Sequence, residues 1–387
     1  MKQRMQGMVM GIIAMPLLLG TVTVLAATPQ TIEMDMASQN STLYTLQASN
    51  VNAEYQRTLR SAERGDVEAQ IDLAWMYFEG QQVTQSYERA VYWFRRAAMQ
   101  GNADAQNSLG LRYLRGQGVS QSYEQAVYWF RQSAIQGDYL AQSNLGLRYF
   151  HGVGVEQDYE QAMYWIRQSA VQGNAPAQFS LGFMYQYDRG ISLDHEQAVY
   201  WYRQAAEQSH AMAQSNLGWM YEHGHGVELN LEQAVYWYRR AAVQGDDFAQ
   251  ANLGWMYEYG HGVELSLEQA VYWYRHAAVQ GNARAQSNLG WMYEHGYGVE
   301  LNYEQAVYWY RHAAVQGNAR AQSNLGWMYE NGHGIEQNYE QAAYWYRNAA
   351  IQGNTFAQSN LGWMYQYGIG VAQNYEQAEY WSARAAE

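Results

Sequence analysis

The stretch NARAQSNLGWMYEHGYGVELNYEQAVYWYRHAAVQG, Asn282 to Gly317, decides the fold. Ala285, Leu289, Met292 and Tyr293 recur at helical spacing, so the first half predicts a helix with one apolar face. Gly290 lies inside that helix, where it costs about 1 kcal/mol relative to Ala. The close approach of a neighbouring helix would give a reason for it. His295-Gly296-Tyr297-Gly298 then ends the helix, with glycine supplying positive φ. Asn302 is a good N-cap for a second helix. Gln305, three residues on, predicts a capping box. Glu304 places an anion in the first turn, where the helix dipole favours it. Ala306, Trp309, Tyr310, Ala313 and Ala314 predict the second apolar face, and Gly317 closes the unit.

The same unit recurs on both sides. The dipeptide Ala-Gln returns at every 36th residue from Ala69 to Ala357, nine times without insertion or deletion. All 15 Trp fall on two positions of this repeat. One series runs from Trp93 to Trp381 without a gap. The other holds Trp75, Trp219, Trp255, Trp291, Trp327 and Trp363, with Leu111, Leu147 and Phe183 between. Self-similarity at such a period marks a solenoid. A lone hairpin cannot bury two apolar faces, so each pair of helices must stack on the next. The expected fold is therefore an all-α solenoid of about nine 36-residue helix-turn-helix repeats.

The ends differ as caps should. Residues 50–66 predict a capping helix with Val51, Tyr55, Leu59 and Ala62 as its apolar stripe and Arg57 at the Trp position. In the last unit Glu379 and Ser382 replace Val and Tyr, which suits a helix with no successor. One join is irregular. Asp188 replaces the first loop Gly and Ser209 the closing Gly, so a change of curvature or looser packing is expected around residues 207–212.

Leu289-Gly290, Tyr293, the pair Gly296 and Gly298, Val299, Ala306, Trp309, Ala313-Ala314 and Gly317 together resemble the Sel1-like repeat family, relatives of the tetratricopeptide repeat. The resemblance covers residues 67–387. It implies a right-handed α/α superhelix and adaptor or scaffold work in protein complexes. For exported bacterial members it implies host interaction, envelope processes or signalling. Some cysteine-rich secreted relatives are described as β-lactamases or penicillin binders.

The rest of the chain bounds the setting. Residues 1–26 carry Lys2 and Arg4, an apolar run from Gly7 to Leu25, and small residues at Val24-Leu25-Ala26. This is a secretory signal pattern with cleavage expected after Ala26, giving a periplasmic or secreted protein. An uncleaved anchor is the alternative. Residues 27–49, rich in Thr, Ser, Gln and Asn, are expected to be a flexible linker. No cysteine is present among the 387 residues, which excludes disulfides, thiolate metal sites and a cysteine nucleophile. Formal charge is -13, so nothing draws the chain to nucleic acid or to anionic membranes.

An enzyme needs a unique set of groups, whereas most chemistry-bearing residues here occur once per unit. The expected function is an exported, non-catalytic scaffold that binds a protein or peptide partner, without cofactor or metal. The alternative is a cell-envelope enzyme or binder acting on peptidoglycan or β-lactams. Candidate partner-binding residues come from three ladders. Arg239, Arg275 and Arg311 follow the second-helix aromatics and suit either carboxylates of a partner or internal pairing and stacking. Tyr236, Tyr272 and Tyr308 recur beside the Trp. Packing accounts for many tyrosines, but two or three per second helix exceed one buried stripe, and exposed rows suit peptides or sugar rings. His225, His261 and His333 occupy matching loops and suit a solvated, pH-sensitive surface. Metal ligation by His223 and His225 is opposed by the spacing of successive loops, about 10 Å from helix packing.

Overall fold

The structure is a computed structural model and describes residues 53–386. The expected signal 1–26, the linker 27–49 and the first residues of the 50–66 capping helix lie outside the described residues. Helix α1 spans residues 53–63. Nine hairpins follow, and no strand occurs among the described residues. Their first helices are α2 (Val67–Glu79), α4 (Ala103–Arg115), α6 (Tyr139–His151), α8 (Ala175–Gln186), α10 (Ala211–His223), α12 (Asp247–Tyr259), α14 (Ala283–His295), α16 (Ala319–Asn331) and α18 (Thr355–Tyr367). Their second helices are α3 (Tyr87–Met99), α5 (Tyr123–Ile135), α7 (Tyr159–Val171), α9 (His195–Glu207), α11 (Leu231–Ala242), α13 (Leu267–Val279), α15 (Tyr303–Val315), α17 (Tyr339–Ile351) and α19 (Tyr375–Ala386). Each helix packs on the helix before and after it, and first helices also approach one another, as α14 does α16. The first helices therefore line the inner side of the solenoid, and the second helices its outer side.

Caps set the helix starts. The Asn282 side chain accepts from the Ala285 N–H at 3.0 Å, and Asn302 from the Gln305 N–H at 2.9 Å. The expected capping box is made only by half. The Asn302 N–H is not free for Gln305, because it donates to the Tyr293 carbonyl of the preceding helix at 2.9 Å. Ser122 and Asn374 make the same bond to Tyr113 and Tyr365, so the backbone ties each second helix to its first. Where the cap is Ser122, its hydroxyl donates to Glu124 at 2.9 Å, and the Glu124 carboxyl is lowered by hydrogen bonds from its own backbone N–H and from that hydroxyl.

Inside each hairpin, Gly290 explains itself. A Cβ at this position would lie 2.7 Å from the ring of Tyr310, which is fully buried. Glycine lets that ring lie flat on the first helix. Between hairpins, Gly298 adopts φ 65°, and a Cβ there would come within 2.2 Å of the Leu267 carbonyl oxygen. Each loop thus rests on the start of the previous second helix. A polar seam joins the units as well. Buried Gln286 donates to the Ala278 carbonyl of the preceding unit at 3.0 Å and accepts from Gln316 at 2.8 Å. The Ala-Gln dipeptide that marks the period is this seam.

Trp309, expected on the buried face, is only half-buried, and Val307 takes a core place instead. The join at 207–212 keeps the regular hydrogen bonds. Ser209 N–H reaches the Ala206 carbonyl at 3.0 Å and His210 N–H the Ala205 carbonyl at 3.2 Å, like Gly245 and Asp246 one unit on. Ser209 achieves this at φ 67°, a left-handed conformation costly for a side chain. The expected loosening is replaced by local strain. At the start of the array, the Tyr55 hydroxyl meets that of Tyr77 at 2.8 Å and Ala62 is buried. At its end, α19 buries only Ala378 and Trp381.

Candidate functional site

The three candidate ladders occupy three different places. Tyr236, Tyr272 and Tyr308 stand exposed on the outer helices. Each ring meets its neighbouring Trp edge-on at 4.9 Å, which fixes its orientation. Arg239, Arg275 and Arg311 bridge between units. Their guanidinium groups donate to the hydroxyls of Tyr257, Tyr293 and Tyr329 in the next first helix, at 2.7, 2.8 and 3.2 Å. Of the two roles open to these arginines, the internal one is occupied.

The histidines stack. His225 lies 5.1 Å from His195 and 5.0 Å from Trp219, centroid to centroid. His261 packs on Trp255 at 4.7 Å, and His333 on Tyr303 at 4.7 Å. His223 and His225 are parallel, their planes 1° apart. His223 Nδ1 lies 3.0 Å from the Trp219 carbonyl oxygen, and His333 Nδ1 is buried without a partner. Among the described residues no group of three or more His, Asp or Glu is placed to hold a metal.

What distinguishes one part of the array from another lies elsewhere. A cavity of about 220 Å³ opens between α6, α7 and α8, lined by Leu147, Phe150, His151, Ile166, Phe179, Ser180 and Phe183. Besides Leu147, which stands at a Trp position, five of these break the repeat. Ile166 stands where the next five units have a buried Tyr, and Phe150 where later units have Glu or Gln. Phe179 and Ser180 replace Ser and Asn, and Phe183 replaces Trp. Phe150 and Phe183 meet edge-on at 6.3 Å across the unit boundary. The clustering of departures from the pattern in residues 147–183 was the signal that points to this cavity; reading the units for what they share passes over it. In α4, buried Arg112 takes the place of a core Met. Its guanidinium lies over the Phe78 ring at 4.1 Å, its Nε and Nη1 lack partners, and burial pushes its pKa down to about 10.

An all-α solenoid whose polar groups recur unit by unit, instead of meeting at one centre, is a repeat scaffold. The Sel1 repeat family matches it at residues 67–102, 103–138, 140–174, 175–210, 211–246, 247–282, 283–318, 319–354 and 355–387, and the chain belongs to that family. Sel1 repeat proteins mediate protein–protein interactions. Two solved structures are similar over most of their length. A protective antigen of uropathogenic Escherichia coli strains, displaying an SLR fold, is 35% identical over 86% of this chain and 86% of its own, with a TM-score of 0.56. A Sel1 repeat protein from Oxalobacter formigenes is 33% identical over 80% of this chain and 89% of its own, with a TM-score of 0.60. No curated protein matches the chain. No helix of the described residues is long and apolar enough to cross a membrane.

Proposed function

We propose that the chain is an exported, non-catalytic scaffold that holds an extended segment of a partner protein along its inner helices. The α6–α8 cavity carries this reading. It is an apolar recess lined largely by residues that depart from the repeat, and it is large enough for one bulky side chain. A periodic surface alone offers equal footing at every unit, so register needs an anchor, and this recess supplies one. The side chains around it are apolar except for His151 and Ser180 at its border. The bound segment therefore carries a Leu, Ile, Met or Phe at its anchor position.

Export rests on the pattern of residues 1–26, with Ala27 as the first residue of the mature chain. That a similar protein is described as a protective antigen fits a location reached from outside the cell. N-terminal sequencing of the protein recovered from periplasmic and culture fractions tests this part.

The binding reading is tested by selecting random peptides on the full chain, with Ser180→Trp as the control that fills the recess. Enrichment of one bulky apolar position, lost with Ser180→Trp, is the expected result. Selected peptides that bind both forms equally would remove the anchor.

A further inference from the structure

The outer face of α11, α13 and α15 carries a pattern that matches itself when turned end over end. In the last of these units Leu301, Glu304, Tyr308, His312 and Val315 follow one another at offsets of seven, four, zero, four and seven residues about the tyrosine. All five are exposed. The α11 and α13 units repeat the order, with Arg240 and His276 in the basic place. Outside these three units the pattern breaks. The α9 unit has Gln204 and Glu207 at the basic and final apolar places, and the α17 unit has Gln337 and Asn348 at the first and fourth.

The exposures are unusual for apolar groups. Tyr236, Tyr272 and Tyr308 are 47, 49 and 50% exposed, and Val243, Val279 and Val315 are 70, 73 and 68% exposed. Three half-open tyrosines and three open valines supply on the order of 600 Å² of surface per copy, most of the ~800 Å² that one side of a stable complex buries. A groove of about 690 Å³ runs between the ends of α11 and α13, lined by Val243, Tyr272, Trp273 and Val279 among others. The indole N–H groups of Trp237, Trp273 and Trp309 beneath the rows make no hydrogen bond.

We infer that this face is a docking surface for a second copy of the chain, the two related by a two-fold axis that lies in the interface along the tyrosine row, with their second helices antiparallel. In that arrangement the tyrosine rows meet at the centre. The acidic row of each copy lies over the basic row of the other, and apolar residues close both edges. A rigid row with a fixed repeat is matched best by a partner of the same period, and this chain has that period. An isologous contact of this kind closes on itself and does not grow into a filament. The face is separate from the α6–α8 cavity, so its failure would leave the peptide reading standing.

Sedimentation velocity of the full chain from about 1 to 100 µM tests the inference. A monomer–dimer equilibrium is expected. Tyr236→Ser, Tyr272→Ser and Tyr308→Ser together should weaken it at least about tenfold. Glu232→Arg, Glu268→Arg and Glu304→Arg should abolish it. Adding Arg240→Glu, His276→Glu and His312→Glu to that chain should restore it, which separates lost pairing from lost folding. A monomer throughout the range overturns the inference. So does a dimer indifferent to charge reversal, or one that the second set of substitutions does not recover.

Discussion

The hydroxyl of Tyr274 donates to Glu258 Oε2 at 2.6 Å, from one helix of a hairpin to the other, with both side chains buried. Tyr238, Tyr310 and Tyr346 make the same bond to Glu222, Glu294 and Glu330, and Tyr202 makes it to Gln186. Earlier units hold Phe94 against Phe78, Phe130 against Leu114 and Ile166 against Phe150 at the same two positions. Where the buried ring has a hydroxyl its partner is polar, and where it has none the partner is apolar. A buried hydroxyl or carboxylate without a partner is costly, so the two positions change together.

Tyr274→Phe should therefore destabilise α12 and α13 by about 2 kcal/mol, because Glu258 is left buried without its donor. The double variant Tyr274→Phe, Glu258→Leu reproduces the Phe130–Leu114 pair and should regain most of that loss. Thermal melting with hydrogen exchange across both helices checks the cycle. Additive losses from the two substitutions would show that the pair is not coupled.

Burial, joined by the facing Glu, also pushes the hydroxyls of Tyr238, Tyr274, Tyr310 and Tyr346 above their ordinary range, and burial does the same for Tyr202. A raised pKa in the fold gives stability that is complete below the unfolded value of about 10 and is lost as pH climbs past it. Alkaline titration followed by tyrosinate absorbance, with helix content read in parallel, checks this. The five buried tyrosines should ionise only with loss of helix, in one cooperative step. A smooth titration of all tyrosines with the helices intact would contradict this.

At the other end of the pH scale stands His210. It caps α10 by accepting from the Ala213 N–H through Nδ1 at 3.2 Å, and its ring stacks on Phe179 at 5.0 Å. Burial lowers its pKa from 6.5. A depressed pKa means the contribution is complete above that unfolded value and is lost as pH falls through the folded one, since a proton on Nδ1 removes the acceptor. Protection of the amides at 205–213, corrected for the intrinsic pH dependence of exchange, should fall as pH drops below 6.5 and hold in His210→Asn, which caps without titrating. Equal acid response in both proteins would rule out the histidine as its source.

Two glycines at the same repeat position should respond differently to alanine. Gly290→Ala drives a Cβ to 2.7 Å from the Tyr310 ring, which packing on all sides holds in place. The overlap should cost about 1–3 kcal/mol, more than the roughly 1 kcal/mol of helix propensity gained. Gly362→Ala meets the Ser382 hydroxyl, also at 2.7 Å, and that oxygen can rotate away. Its net effect on melting should lie within about 0.5 kcal/mol of zero. Equal destabilisation at both sites would mean that the ring is not what requires glycine.

Ser209, at φ 67°, occupies the place that glycine takes in most other units. Ser209→Gly should stabilise the array by about 1 kcal/mol by releasing that conformation. A rise in melting temperature without change in helix content is the expected reading.

Hairpins, caps and period were legible because each rests on residues near in sequence. The N-cap at Asn302, the stop at Gly296 and the helical spacing of Leu289, Met292 and Tyr293 act within a few turns of backbone. The cavity was harder to see, because its residues come from three helices and are notable only as exceptions to the pattern. Of the candidate ladders, sequence offered each arginine two roles. The choice fell to Tyr257, Tyr293 and Tyr329, eighteen residues away in the next unit.

By itself the order of residues determined that helices of this length stack in pairs at a constant step, since short-range spacing and capping specify both. Only the tertiary structure decided that Tyr310 goes fully into the core while Trp309, expected on the same face, stays half-buried. Both are two-faced aromatic side chains on one helix turn, and the distinction comes from the notch at Gly290 and the carboxylate of Glu294, which lie on another helix. The half-made capping box has the same origin. Asn302 could have bonded to Gln305 within its own turn, but packing brought the Tyr293 carbonyl within reach first.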